Sequence, residues 1–431
     1  MVYLPHWPKN LHNDFGQDSV TKLKNFLPKI GNPHLKLPPI VHVAGTNGKG
    51  STISLLESIL REHGYSCHVF TSPHVFECNE RIKINHQKIS DQYLFELLEE
   101  IRHQSSGFNF TLFEAFTLVA ILAFSRNKAN FCLIETGMGG RVDATNILEN
   151  KIVTILTSIS LDHEEFLGPN LKEITAQKSH IMRKNIPNIL MSNDSNVLTE
   201  VKLRSDIISN NLLIYGQDFQ YKKHGDKFDF ISSDQRFYDL PFPNLLGEHQ
   251  LQNACAAIAA TIEMKIKISH KKISEGLKNT SWPFRLEKLK NNLNKFLKNP
   301  ESEIWFDAAH NIDGAKALAN WLYDENAKRK KQNLLIIGFS KKKAKKEFFT
   351  PFVDLAEYFL PIQVEGEPLP EKAENITKIL QEIGAKYQAQ EDLLEAIYFA
   401  GNKAGKDPCR IIICGSIYLA FDVKKYNSCH L

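Results

Sequence analysis

The sequence predicts an α/β protein in which a P-loop-type, mostly parallel sheet domain precedes a smaller Rossmann-like α/β domain. Three features carry that prediction. Short apolar runs alternate with stretches of helical periodicity, each run empties into a polar loop, and the pattern lapses once, around residues 288–303, before it starts again. At 431 residues the chain exceeds what one core usually supports, and 42% hydrophobic with 24% charged residues is the composition of a folded protein.

The run 40–44 reads as a short buried strand. After Ser51, the residues Ile53, Leu55, Leu56, Ile59 and Leu60 fall at helical spacing until Gly64. A helix is expected over 113–124, then strands over 131–134 and 152–159, which run into Glu135 and into Ser160, Asp162 and His163. In parallel sheets with crossover helices, ligands gather at the carboxyl ends of such strands. The segment 288–303 is rich in Lys and Asn with few apolar positions, which sets the domains at 1–288 and 289–431. Beyond it follow a strand over 304–306, a helix over 315–323, and strands over 334–337 and 411–413. The run 341–346 holds five lysines and reads as a solvated face.

The 53 basic and 49 acidic residues leave a net charge of +4, too small an excess for a dedicated nucleic-acid binder and enough for small anionic ligands. The 7 cysteines form no CxxC pair, so neither a zinc site nor a disulfide framework is indicated, and a reducing compartment fits. No signal pattern opens the chain, and no apolar stretch reaches the roughly 18 residues of a membrane span. A cytoplasmic protein with neither nucleic-acid nor membrane partners is expected.

Between the first strand and helix the chain reads Gly45-Thr46-Asn47-Gly48-Lys49-Gly50-Ser51-Thr52. Three glycines let backbone N–H groups wrap a phosphate, Lys49 adds a point charge, Ser51 can reach a magnesium ion and the helix N-terminus adds its dipole. The spacing departs from the usual P-loop, since two residues rather than four separate Gly45 from Gly48-Lys49.

With Gly31-Asn32-Pro33 and the run from His42, this loop resembles the folylpolyglutamate synthase/dihydrofolate synthase family, a branch of the Mur-type ATP-dependent amide ligases. Further matching pieces follow in family order. They are Thr71-Ser72-Pro73-His74 with Glu80-Arg81, Thr111 to Glu114, Glu135 to Asn146, and Leu161-Asp162-His163. Later come Gly247 to Gln250 with Asn253, Pro283-Phe284-Arg285, Asp307 to Asn311, and Cys414-Gly415-Ser416, so that the resemblance spans residues 31–416.

Joining a carboxylate to an amine at neutral pH requires activation, which ATP supplies by phosphorylating the carboxylate to an acyl phosphate. The resemblance implies magnesium, as two ions, with Ser72, Glu135 and His163 as ligands. Lys178 is similar to the family lysine that carries a carbamate, although Gln177 and Ser179-His180 differ from the usual surroundings; a plain ion-pairing lysine is the other reading. Lys49, Glu135, His163 and Lys178 are thus the expected catalytic set. Thr46, Asn47, Gly48, Lys49, Gly50, Ser51, Asn253, Arg285, Asp307 and His310 are the expected ATP contacts, with Asp307 on the ribose. Phe284 stands where the family usually has glycine, so a positive φ there would strain the turn or force a different one. The acidic cluster common after Gly338 is also missing, which leaves the glutamate contacts open.

Thr111, Leu112, Phe113, Glu114, Val142, Asp143 and Ala144 match segments that contact dihydropteroate in bifunctional members. Without the resemblance, Phe113 reads as core. The expected function is an ATP-dependent, ADP-forming ligase, a monomer, that adds L-glutamate to dihydropteroate, to the glutamate tail of folates, or to both. Another Mur-type ligase, or a P-loop NTPase switch without ligase activity, is the alternative. A muropeptide ligase would carry a UDP-sugar domain ahead of the loop, and only 44 residues precede Gly45.

Overall fold

A computed structural model describes residues 7–8, 18–290, 292–341, 343–367 and 369–428; Lys342 of the lysine run and Cys429 lie outside them. Contacts divide the chain into two units. The larger runs to Asn244 and takes in Gln250–Ser281, while the smaller comprises Leu245–His249 and everything from Trp282 onward.

The larger unit is built on eight strands, β1 Ile40–Ala44, β2 Cys67–Phe70, β3 Ile82–Ile84, β4 Gln87–Lys88, β5 Phe131–Glu135, β6 Lys151–Leu156, β7 Pro187–Leu190 and β8 Asn211–Ile214. Their order is β4-β3-β2-β5-β1-β6-β7-β8, parallel from β2 to β8, with β3 and β4 as an antiparallel edge. β1 is buried at all five positions because helices cover both faces of a parallel sheet, which is why its sequence is continuously apolar rather than alternating. The helix after it, Lys49–Glu62, packs against the helix His270–Asn279.

The helix expected over 113–124 is Leu112–Arg126. Thr111 and Glu114 close a reciprocal capping box at its start, the Thr111 hydroxyl accepting from Glu114 N at 3.3 Å and the Glu114 carboxylate from Thr111 N at 2.8 Å. The strand expected to reach residue 159 stops at Leu156: Thr157 still bonds Ala44 at the end of β1, but Ser158 and Ser160 bond to Thr46 and Asn47 of the phosphate loop instead. Sequence periodicity did not single out a three-stranded antiparallel meander, β9 Phe219–His224, β10 Lys227–Ser232 and β11 Arg236–Pro241, in the same unit.

The smaller unit holds β12 Glu287–Leu289, β13 Glu303–Phe306, β14 Gln332–Ile337, β15 Tyr358–Pro361 and β16 Cys409–Cys414 in the order β12-β13-β16-β14-β15. All pairings are parallel except β12 with β13. β12 explains a difference from expectation. The boundary set at residue 288 falls between Ser281 and Trp282, since Glu287–Leu289 is hydrogen-bonded into the smaller sheet and the polar segment after it lies inside that unit. The six described cysteines are free and buried, and among the described residues no helix is long and apolar enough to cross a membrane.

Candidate active site

Four adjacent parallel strands, β2, β5, β1 and β6, bring their carboxyl ends to one rim of the larger sheet. Ser72 follows β2, Glu135 ends β5, Gly45 follows β1, and the segment leading to His163 follows β6. The phosphate loop is therefore framed on both sides by neighbouring strand ends.

The loop conformation depends on its glycines. A Cβ on Gly45 would stand 1.8 Å from Thr157 Oγ1, and Gly48 has φ +86° with Asn253 Oδ1 2.5 Å from where its Cβ would be. On the β6 side, Thr46 N donates to Ser158 O at 2.7 Å, and the Ser158 hydroxyl donates to Asn47 O at 3.3 Å. The Thr46 hydroxyl donates to Ser160 O and accepts from Ser160 N, both at 3.1 Å.

Two lysines share this corner. Lys49 Nζ donates to Gly45 O at 3.2 Å and Thr46 O at 3.1 Å, while Lys178 Nζ donates to Gly45 O at 2.8 Å from the end of the helix Leu171–Ser179. Burial, reinforced by the positive charge of Lys49, lowers the Lys178 ammonium to about 7. Much of this amine is neutral near pH 7. Asn253 reaches the loop from the helix His249–Glu263; its amide nitrogen donates to Gln250 Oε1 at 2.9 Å and its oxygen accepts from Thr52 Oγ1 at 3.4 Å.

Of the expected metal ligands, the structure joins two directly: Ser72 N donates to Glu135 Oε2 at 3.1 Å. His163 lies on the next loop with φ +52°, its N–H donating to Asp162 Oδ1 at 2.9 Å. Among the described residues no group of three or more His, Cys, Asp or Glu is placed to hold a metal ion. A hydroxyl, a carboxylate and one imidazole make a sparse, oxygen-rich set. That suits magnesium, which keeps several waters, and would not suit a structural zinc cage.

The segments matched to dihydropteroate contacts are strongly engaged within the protein. Glu114 is 1% exposed, and besides capping its helix it accepts from Ser19 Oγ at 2.6 Å and Lys22 Nζ at 3.0 Å. Asp143 accepts from Met138 N and Thr145 N, each at 2.9 Å, and burial pushes its carboxyl up. Both carboxylates therefore brace their own loops. Phe113 is half-buried against Phe70, with ring centroids 5.7 Å apart, and Ala144 is buried, while Leu112 is half-buried and Val142 exposed.

In the smaller unit, Asp307 follows β13, and its two oxygens accept from Leu286 N at 2.9 Å and Ala309 N at 2.8 Å. Arg285 donates to Phe284 O at 3.2 Å, and the His310 ring bonds Ala308 O at 2.9 Å. Phe284 keeps a left-handed φ of +61°, and Leu286 also has a positive φ, +46°. The turn thus retains the shape a glycine would favour. The Phe284 ring is buried edge-on against Phe306, centroids 5.0 Å apart, which offsets the backbone strain.

Three groups were given no role in the sequence reading. Ser160 and Ser158 latch the phosphate loop. His249 stands beside Asp307 and Arg285, with burial lowering its imidazole. At the carboxyl ends of β14, β15 and β16, the Ser340 and Ser416 hydroxyls donate to Glu367 Oε2, and burial raises that carboxyl. In the sequence, Ser416 is marked by the resemblance through Cys414-Gly415-Ser416 and by its strand-end position, whereas nothing marked Glu367.

Residues 43–261, more than half of the chain, match a family profile described as the Mur ligase middle domain, and residues 290–426 match one described as the dihydrofolate synthetase C-terminal domain. A dihydrofolate synthase/folylpolyglutamate synthase of Bacillus subtilis is 29% identical over 94% of both chains. A dihydrofolate synthetase of Saccharomyces cerevisiae is 28% identical over 97% of this chain and 99% of its own. Among solved structures, Escherichia coli FolC in complex with DHPP and ADP superposes with a TM-score of 0.83 at 26% identity, covering 97% of this chain and 96% of that one.

Proposed function

We infer the chemistry from one premise: the chain belongs to the folylpolyglutamate synthase/dihydrofolate synthase family of Mur-type ligases, and is an ATP-dependent acid–amino-acid ligase. It joins L-glutamate to dihydropteroate, to the glutamate tail of folates, or to both. The match to a dihydrofolate synthetase C-terminal domain supports dihydropteroate as an acceptor.

The observation that carries the residue assignment is the shared rim, where the phosphate loop lies between Glu135 on β5 and the His163 loop after β6. Asn47, Gly48, Gly50 and Ser51 cradle the ATP phosphates with backbone N–H groups at the start of the helix Lys49–Glu62. Lys49 neutralises charge on the phosphoryl group as it passes to the substrate carboxylate. Ser72, Glu135 and His163 would hold magnesium, which when bound supplies further charge neutralisation. Asn253, Arg285, Asp307 and His310 complete the nucleotide contacts, with Asp307 oriented by its two backbone donors to accept from ribose hydroxyls. Lys178 first loses a proton to solvent, and its neutral amine then adds carbon dioxide with release of a second proton to solvent, so that an anionic carbamate stands where a buried cation was. Thr111 to Glu114 and Val142 to Ala144 border the pteroate site, where Glu114 and Asp143 act by bracing it. The glutamate amine then attacks the acyl phosphate and phosphate leaves. The reading takes the enzyme as a cytoplasmic monomer.

The deciding assay incubates the protein with ATP, magnesium and L-glutamate plus either dihydropteroate or tetrahydrofolate, and counts added glutamates by mass spectrometry. One glutamate on dihydropteroate marks the synthase step, and successive additions to the folate mark chain extension. ADP release that needs neither glutamate nor an acceptor would overturn the ligase in favour of a nucleotide switch.

A further inference from the structure

Thr46 lies in the phosphate loop, yet its hydroxyl and its amide are turned to the segment after β6. Its hydroxyl has one proton, which goes to Ser160 O at 3.1 Å, and the same oxygen accepts from Ser160 N at 3.1 Å. Its backbone N–H goes to Ser158 O at 2.7 Å. Next to it, Asn47 pairs with Ser158 in an isolated antiparallel bridge. Every donor that Thr46 owns is thus committed to the segment after β6, and none remains for a nucleotide oxygen.

That segment is short. Only Leu161 and Asp162 separate Ser160 from His163, which sits in a left-handed conformation stabilised by the Asp162 carboxylate on its N–H. A loop with so few residues has little freedom once one end is clamped on both its N–H and its C=O. We propose that Thr46 is a positioning residue: through its paired bonds to Ser160 it sets the placement of Asp162 and His163 relative to the phosphate loop. Nucleotide-loop geometry and His163 geometry are then one mechanical unit. The inference rests on the reading of His163 as a metal ligand only for its effect on metal dependence.

The test compares Thr46→Val, which replaces the hydroxyl by a methyl of similar size, with Thr46→Ser, which keeps it, in the full-length protein. In the metal-free protein, hydrogen exchange in 160–164 should quicken about tenfold in Thr46→Val, since two hydrogen bonds on one residue are lost, while the helix Lys49–Glu62 stays protected. The magnesium concentration for half-maximal activity should rise about tenfold, with the KM for ATP at saturating magnesium within about twofold of wild type. Thr46→Ser should restore both. Unchanged exchange in 160–164 overturns the proposal, as does a raised KM for ATP with unaltered magnesium dependence, which would return the hydroxyl to the nucleotide. Faster exchange with unaltered magnesium dependence and unaltered KM for ATP upholds the clamp and instead refutes His163 as a metal ligand.

Discussion

Lys178 illustrates how a single side chain can be costly to the fold and useful to chemistry. With its ammonium lowered to about 7 by burial and by Lys49, the folded protein has released a proton that the unfolded chain holds until about 10.5. Between those two values the unfolded state binds more protons, so this group makes stability rise with pH across that window; below about 7 its full burial cost is felt. Replacing it by methionine should therefore raise Tm more at pH 6 than at pH 9 while abolishing turnover. Thermal unfolding at the two pH values checks the sign, and an equal gain at both would refute the depressed ammonium. In bicarbonate the wild-type protein should also carry the added mass of a carbamate, increasingly so as pH rises from 6 to 8. The lowered ammonium was not legible from the sequence, where Lys178 is one of 53 basic residues; the family resemblance marked the residue and its carbamate, and only its burial beside Lys49 explains the chemistry.

At the scale of elements, the turns carry more information than the strands and helices they join. The loop after β1 is shaped by close approach, and Gly45→Ala should force it off Thr157, since the new Cβ would stand 1.8 Å from Oγ1. We expect at least about a hundredfold loss in kcat/KM with the far-UV circular dichroism unchanged, because misplacing the groups that position a reacting phosphoryl costs that much. The turn Pro283-Phe284-Arg285-Leu286 works the other way. Phe284→Gly would relieve about 1 kcal/mol of left-handed strain but remove a buried ring worth about 3–4 kcal/mol, for a net destabilisation of about 2–3 kcal/mol in urea titration. A stabilised variant would show that strain outweighs packing at this turn. The capping box of Thr111 and Glu114 belongs to the same scale: residues that resemblance ties to a substrate first of all begin a helix.

For the whole molecule, the alternation of apolar runs and helical periodicity was enough to read two α/β units, because strands buried on both faces need continuous apolar sequence. The boundary moved to Ser281/Trp282 because an edge strand as short as Glu287–Leu289, with only Leu289 buried, leaves almost no trace in hydrophobicity. The meander β9–β11 was missed for a similar reason: its strands are partly exposed and carry charged residues among the apolar ones. The lysine run after β14 and the charge of +4 make one prediction at this scale. The protein should show no salt-sensitive retention on immobilised DNA at about 50 mM salt, where a binder making several phosphate contacts would be held. Retention there would reveal a second function.

By itself the sequence determined the fold class, the phosphate loop and the polar strand ends, since these follow from local periodicity and from residue types that only certain chemistry requires. Tertiary structure alone decided which of those residues are held by partners within the protein. Thr46, Glu114 and Asp143 look like binding residues in a linear reading, yet each has polar atoms engaged by the protein: Asp143 by Met138 and Thr145 close by in sequence, Thr46 and Glu114 also by residues 92 to 114 positions away. Hydrogen bonds between strand ends are set by sheet order, β5-β1-β6, and sheet order is a property of the packed chain that no local pattern encodes.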